Sequence, residues 1–235
     1  VPGSPRYELG LQQKEDALHR LVDVWATGEA AAALGFEAAR VFDELDPIER
    51  QKDAYFAEQG IDRGRAQTKA LAKISKDALE YLAESHRRPD DRNAERYEVL
   101  GHDPMVRFVL LDAVANVLCP AVKLWNTGHG ANVMREAVSL VGGYGITEDC
   151  PGFLGYKWMD SQLEATYEGP EAVQRRQLSI TMTSELFVAQ YRHWITEMRQ
   201  IASEHPGTGA CALATAMQMW IWTLQYLQGA TDADG

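Results

Sequence analysis

Cysteine is scarce: Cys119, Cys150 and Cys211 are the three in a chain of 235 residues, far apart and odd in number. They form neither a disulfide framework nor a Cys-x-x-Cys metal site, and such usage points to a reducing, cytosolic compartment. Basic charge is also short, with 23 Lys and Arg against 34 Asp and Glu and a formal net charge of −11. Phosphate backbones are held by clustered Lys and Arg, and no basic run occurs, which argues against nucleic acid as a partner. The six histidines do not combine with Cys, Asp or Glu into a ligand set on one helix face, so no metal is expected. There is no Walker A loop, no Gly-x-Gly-x-x-Gly between a strand and a helix, and no Gly-x-Ser-x-Gly elbow. The start, Val1-Pro2-Gly3-Ser4-Pro5, lacks an initiator Met, a charged n-region and an apolar h-region, and reads as an internal start rather than a signal peptide.

Period-two alternation is missing too, and helical periodicity takes its place. With 46% apolar residues the chain can bury a sizeable core. Leu18, Leu21, Val22, Trp25, Leu34, Val41, Phe42 and Leu45 recur mostly at three- and four-residue steps, which predicts a helix from about Asp16 that ends at Asp46-Pro47. A second helix is expected over Asp62–Ala83, followed by a charged run, His86–Glu98, that reads as a solvated linker or loop. Met105–Trp125 is nearly all apolar and predicts a buried helix, kinked or restarted near Pro120 and broken by Asn126-Thr127-Gly128. Ala131–Val141 should be helical up to Gly142-Gly143, where glycine suits a left-handed cap. After a Gly-rich loop to Gly155 and a short segment, Tyr156–Ala165, Gly169 and Pro170 form an N-cap and N1 pair for one long helix to about Ala202.

From Pro206 to Thr231 there is no charged residue, and the stretch is long enough to raise a membrane span. Thr215, Gln218, Gln225 and Gln228 fall largely on one stripe, which favours a buried or oligomer-facing helix over a membrane one. The expected fold is therefore all-α, an antiparallel helical bundle. Residues 1–180 form the bundle, with 86–104 as linker or loop, and 181–235 a helical extension.

Two places could carry chemistry. In Gly142-Gly143-Tyr144-Gly145-Ile146-Thr147-Glu148, glycines without Cβ would let a diphosphate or adenine reach backbone N–H groups; taken alone, the cluster more simply caps a helix and turns the chain. Glu168 stands between Tyr167 and Gly169 just before a helix. A carboxylate held against apolar neighbours has its proton affinity raised by desolvation and becomes a better base at neutral pH, whereas the plain reading is an acid that complements the helix dipole.

In order and spacing, these residues resemble the C-terminal helical domain of acyl-CoA dehydrogenases. The family pattern has A-x-Q-x-x-G-G-x-G, T-E, R-D-A and Y-E-G-T with a following Q. Here it corresponds to Ala137 through Gly145, Thr147-Glu148, Met159-Asp160-Ser161, Tyr167-Glu168-Gly169-Pro170 and Gln174. The resemblance implies FAD as cofactor, an acyl-CoA thioester as substrate in fatty acid metabolism, and a homo-oligomer. Electron-transfer flavoprotein is implied as redox partner if the reaction is that of a dehydrogenase and not an oxidase. By it, Glu168 removes the Cα proton while hydride leaves Cβ for the flavin, Gly142, Gly143 and Gly145 line the adenine and pyrophosphate of a neighbouring subunit's FAD, and Gln174 lies near FAD.

Three positions depart from that pattern. Ser139 replaces a Gln, Met159 an Arg and Pro170 a Thr, which together remove side-chain and backbone donors from the flavin side. They motivate an alternative, a flavin-free scaffold or assembly subunit of the same fold. No strand-rich segment corresponds to the β domain of such enzymes, so this chain alone is expected to be inactive, the C-terminal part of a larger polypeptide or one subunit of a split enzyme.

Overall fold

The computed structural model describes residues 14–147 and 153–234. The start at Val1–Pro5, Glu148 and Cys150 lie outside the described residues. Among those described there is no strand, and the chain is all-α as expected. Its helices are α1 (Glu15–Glu58), α2 (Arg65–Ser85), α3 (Ala94–His102), α4 (Pro104–Leu124), α5 (Ala131–Val141), α6 (Phe153–Glu164), α7 (Glu171–Thr181), α8 (Glu185–Glu204) and α9 (Ala210–Asp234).

Two compact units are formed, one from the chain up to Asp43 with Ala115–Ser179, the other from Glu44–Val114 with the chain from Ile180 on. The last quarter of the chain thus groups with the end of α1, with α2 and α3, and with the start of α4. That second unit has the larger core, which includes Phe56, Ala78, Leu82, Leu100, Val106, Phe108, Phe187, Ile195 and Ile221. In it α9 buries Ala210, Ala214 and Ile221, Trp220 lies against Tyr191 of α8 with ring centroids 4.8 Å apart, and Trp222 and Tyr226 remain exposed.

Four sequence expectations are corrected by the packing. Helix α1 does not stop at Asp46-Pro47 but runs through Pro47 to Glu58. An interior proline costs about 3 kcal/mol, but continuing the helix buries Ile48 and Phe56 on the stripe begun by Val41 and Leu45, at about 1.5–3 kcal/mol for each large side chain.

The charged run is exposed, as a solvated run would be, but it is loop only as far as Asn93. Arg92 donates from Nε to the Glu84 carbonyl and from Nη2 to the Ser85 carbonyl, filling acceptors left over at the end of α2. The buried Glu84 carboxylate accepts from the Asn93 backbone N–H at 2.8 Å, and Asn93 caps α3, which starts inside the run. Charge here closes a tight connection between two helices.

Asn126-Thr127-Gly128 does not break the chain either. The helical ladder widens into a π-helical turn, Trp125–Gly130, and passes directly into α5. Thr127 Oγ1 donates to the Lys123 carbonyl at 2.8 Å, so a side chain serves the backbone where the ladder changes pitch. The joined run, Pro104–Gly145, is long and apolar enough to cross a bilayer. Its Met105, Val106, Phe108, Val109 and Val114 are core residues of the second unit, so packing accounts for their apolarity.

Finally, the helix expected from Gly169 to Ala202 is two, α7 and α8. The Thr183 hydroxyl bonds back to the Ile180 carbonyl, and Ser184 caps α8 by accepting from the Phe187 N–H at 3.3 Å. Two adjacent hydroxyl residues therefore end one helix and begin the next.

Candidate active site

The predicted site residues all belong to the first unit, at the two ends of α6. At one end, α5 closes on Gly142, whose φ of 73° is left-handed and whose N–H donates back to the carbonyls of Ser139 and Val138. A 3-10 turn over Gly142–Gly145 follows. Gly142 and Gly143 are exposed, with nothing within 4 Å of where a Cβ would stand, so their backbone is open to a ligand. Gly145 is different: it is buried, and a Cβ there would come 3.0 Å from the Val138 carbonyl oxygen. Gly155 of α6 packs on it, its own absent Cβ 3.1 Å from the Gly145 carbonyl. Gly155 stands apart from the cluster in the chain and carries no signal of this role in the sequence.

At the other end, about 14 Å along α6 from Gly155 to Glu164 at 1.5 Å per residue, lies the loop that carries Glu168. Glu168 has φ 51°, the one non-glycine residue with positive φ among the described residues, and Gly169 follows at 94°. For a side chain bearing Cβ this conformation costs about 1–2 kcal/mol. The neighbouring backbone is tied from two helices. Lys123 at the end of α4 donates its ammonium to the Tyr167 carbonyl and sits 5.0 Å from the centroid of the Tyr167 ring, while Gln174 Nε2 of α7 donates to the Glu168 carbonyl at 3.2 Å. The Pro170 carbonyl accepts the first bonds of α7 from Val173 and Gln174. Gln174 and Glu168, far less obviously paired in sequence than the glycines, are brought into direct contact.

The electrostatics correct one expectation. The Glu168 side chain is exposed rather than held against apolar neighbours. The Tyr167 phenol is pushed up from its ordinary value, first by the charge of Glu164, then by desolvation, a hydrogen bond to Glu164 and the charge of Glu168. Among the described residues no group of His, Cys, Asp and Glu is arranged to hold a metal. A cavity of about 470 Å³ opens elsewhere in the same unit, lined by Arg20, Thr27, Trp125, His129, Val133 and Glu136 among others, and it contains none of the predicted site residues.

Residues 105–182 match the family model described as acyl-CoA dehydrogenase, C-terminal domain. This segment, about a third of the chain, is similar to that domain. No curated protein and no solved structure matches the chain. The match contains the glycine turn, α6, the Glu168 loop and α7, and it starts well before the motifs, at the apolar helix α4 that supplies Lys123. It ends where α7 gives way to α8.

Proposed function

We propose that this chain is the base-bearing helical part of an FAD-dependent acyl-CoA dehydrogenase. One observation carries the reading: Glu168 is held left-handed on an exposed loop, between Tyr167 and Gly169, inside the matched segment. Strain of this kind persists where the surroundings over-determine it, and it concentrates at functional sites. The Glu168 carboxylate takes the Cα proton of the thioester and holds it as a carboxylic acid. An acyl chain laid over Tyr167 and Glu168 strips water from that carboxylate, which strengthens it as a base and replaces the desolvation that its own unit does not provide.

The turn at Gly142 and Gly143 fits the cofactor, since bare exposed backbone with no neighbouring side chain within 4 Å admits close approach of a phosphate or a ring. FAD, when bound, supplies the hydride acceptor. Gly145 supports the turn from below rather than lining it, and the Gln174 amide nitrogen steadies the loop, with its carbonyl oxygen left for a ligand. The acyl-CoA substrate, a homo-oligomer that completes the flavin site, and electron-transfer flavoprotein as redox partner follow from the same reading.

A second reading, a flavin-free scaffold, draws on Ser139, whose hydroxyl accepts from Arg20 Nη2 at 3.5 Å and so faces its own unit. The visible absorption spectrum of the longest polypeptide that its gene encodes separates the two. Flavin bands, together with loss of acyl-CoA turnover in Glu168→Gln, are expected; a folded protein without flavin favours the scaffold, and a Glu168→Gln variant as fast as wild type sinks the assignment of the base.

A further inference from the structure

We propose that Lys123 is a positioning residue that, with Gln174, locks the backbone of Glu168 in its left-handed conformation; the kinetic consequence rests on the reading of Glu168 as base, the conformational one on geometry alone. Two peptide planes meet at the Glu168 Cα. Rotation of the first sets φ and rotation of the second sets ψ. The Tyr167 carbonyl lies in the first plane and accepts from Lys123, and the Glu168 carbonyl lies in the second and accepts from Gln174 at 3.2 Å. Each soft dihedral of this one residue therefore has its own anchor, and the anchors come from different helices, α4 and α7.

Lys123 is suited to the task. Its ammonium is a compact donor with three hydrogens, and it holds Tyr167 twice, through the carbonyl and through the ring face 5.0 Å away. Its own backbone is steadied, because the Thr127 hydroxyl donates to the Lys123 carbonyl at 2.8 Å on entry to the π-helical turn. A lysine present for solubility would extend into water; this one is half-buried and spends a donor on a loop 44 residues away. Without it, nothing described holds the first plane, and a residue bearing Cβ relaxes toward the right-handed or extended regions. The carboxylate then points elsewhere.

The test uses the full chain, isotopically labelled, with Lys123→Met, Lys123→Arg and Gln174→Leu. The one-bond Cα–Hα coupling and the three-bond HN–Hα coupling of Glu168 together report its φ. Lys123→Met and Gln174→Leu are expected to displace or broaden both signals, and Lys123→Arg to restore them. In flavin-loaded protein, Lys123→Met should lower kcat by about 100-fold, the scale of a misplacement near 1 Å, with KM changed by no more than about twofold. Unchanged Glu168 signals in Lys123→Met overturn the proposal whatever the kinetics show. Full turnover by Glu168→Gln overturns the base instead, and leaves the locking result standing. Should Lys123→Met lose helix content by circular dichroism, Lys123→Ala, which carries no donor and favours helix, is read the same way, with displaced Glu168 signals in support and unchanged ones against.

Discussion

The imidazoles of His86, at the end of α2, and His193, in α8, stack with centroids 4.5 Å apart and planes inclined by 22°. Both lie in the second unit. His193 Nδ1 is buried without a hydrogen-bond partner, and its Nε2 is 3.4 Å from Glu197. Burial, and next the charge of His193, push the His86 imidazole below its ordinary value of 6.5, with Glu197 opposing.

A pH dependence of stability follows from that direction. Below the ordinary value the unfolded chain binds a proton at His86 more readily than the folded one, so stability rises with pH in that range. The contribution is complete above the ordinary value of 6.5 and is lost as pH falls through it toward the lowered folded value. Thermal melting between about pH 7.5 and about pH 5 should show the loss, and His86→Phe, which keeps a stacked ring, should flatten it. An equal slope in the variant would remove His86 as its source.

Gly169→Ala should destabilise the protein by about 1–3 kcal/mol in urea unfolding. Its φ of 94° suits glycine, and the new Cβ would stand 2.4 Å from Gln174 Nε2. The flexible Gln174 would swing away and release the Glu168 carbonyl, so the variant should also lose whatever turnover the loop supports. A Gly169→Ala protein as stable and as active as wild type would contradict the loop geometry.

The glycine turn makes a contrast within four residues. Gly145→Ala forces a methyl to within 3.0 Å of the Val138 carbonyl oxygen and 3.3 Å of its Cα, and backbone cannot give way as a side-chain tip does. A cost of about 1–3 kcal/mol is expected. Gly143→Ala meets nothing within 4 Å and should fold with wild-type stability, yet weaken flavin binding by putting a methyl on the open surface. Equilibrium unfolding and flavin titration of the two variants would show whether support and contact are divided in this way.

Pro47→Ala tests why α1 ignores its proline. Pro47 is exposed inside the helix while its neighbours Leu45 and Ile48 are buried, so the substitution restores a helical hydrogen bond without touching the core. Stabilisation by about 1–3 kcal/mol is expected, a rise of several degrees in Tm. A fall in Tm would mean that a bend at Pro47 is needed by the packing.

The helices were legible where a stripe and its cap are both local. α5 ends at Gly142 because glycine alone enters that cap freely, and α2 and α4 repeat their apolar residues at helical spacing. Pro47 misled because local propensity names the residue that opposes a helix and not the buried Phe56 that outweighs it. The run His86–Glu98 is exposed as its charge suggests, but charge alone did not show that Arg92 and Asn93 close helix ends there. The Thr183-Ser184 break was present as two hydroxyls, a weak signal until Phe187 is seen to need a cap.

Glu168, Gly142, Gly143, Gly145 and Gln174 could be named as candidates from the resemblance, in order and spacing, to the acyl-CoA dehydrogenase pattern. Their division of labour could not. That Gly145 is buried while Gly143 is exposed, that Gln174 bonds to the Glu168 carbonyl, and that Lys123 holds the preceding plane are matters of contacts between residues up to 44 positions apart. Local sequence determined the helices and the residue types at the site, since propensity and periodicity act over a few residues. Tertiary structure alone decided which conformation Glu168 takes, because a left-handed non-glycine residue is disfavoured on its own and persists when distant helices hold both of its peptide planes.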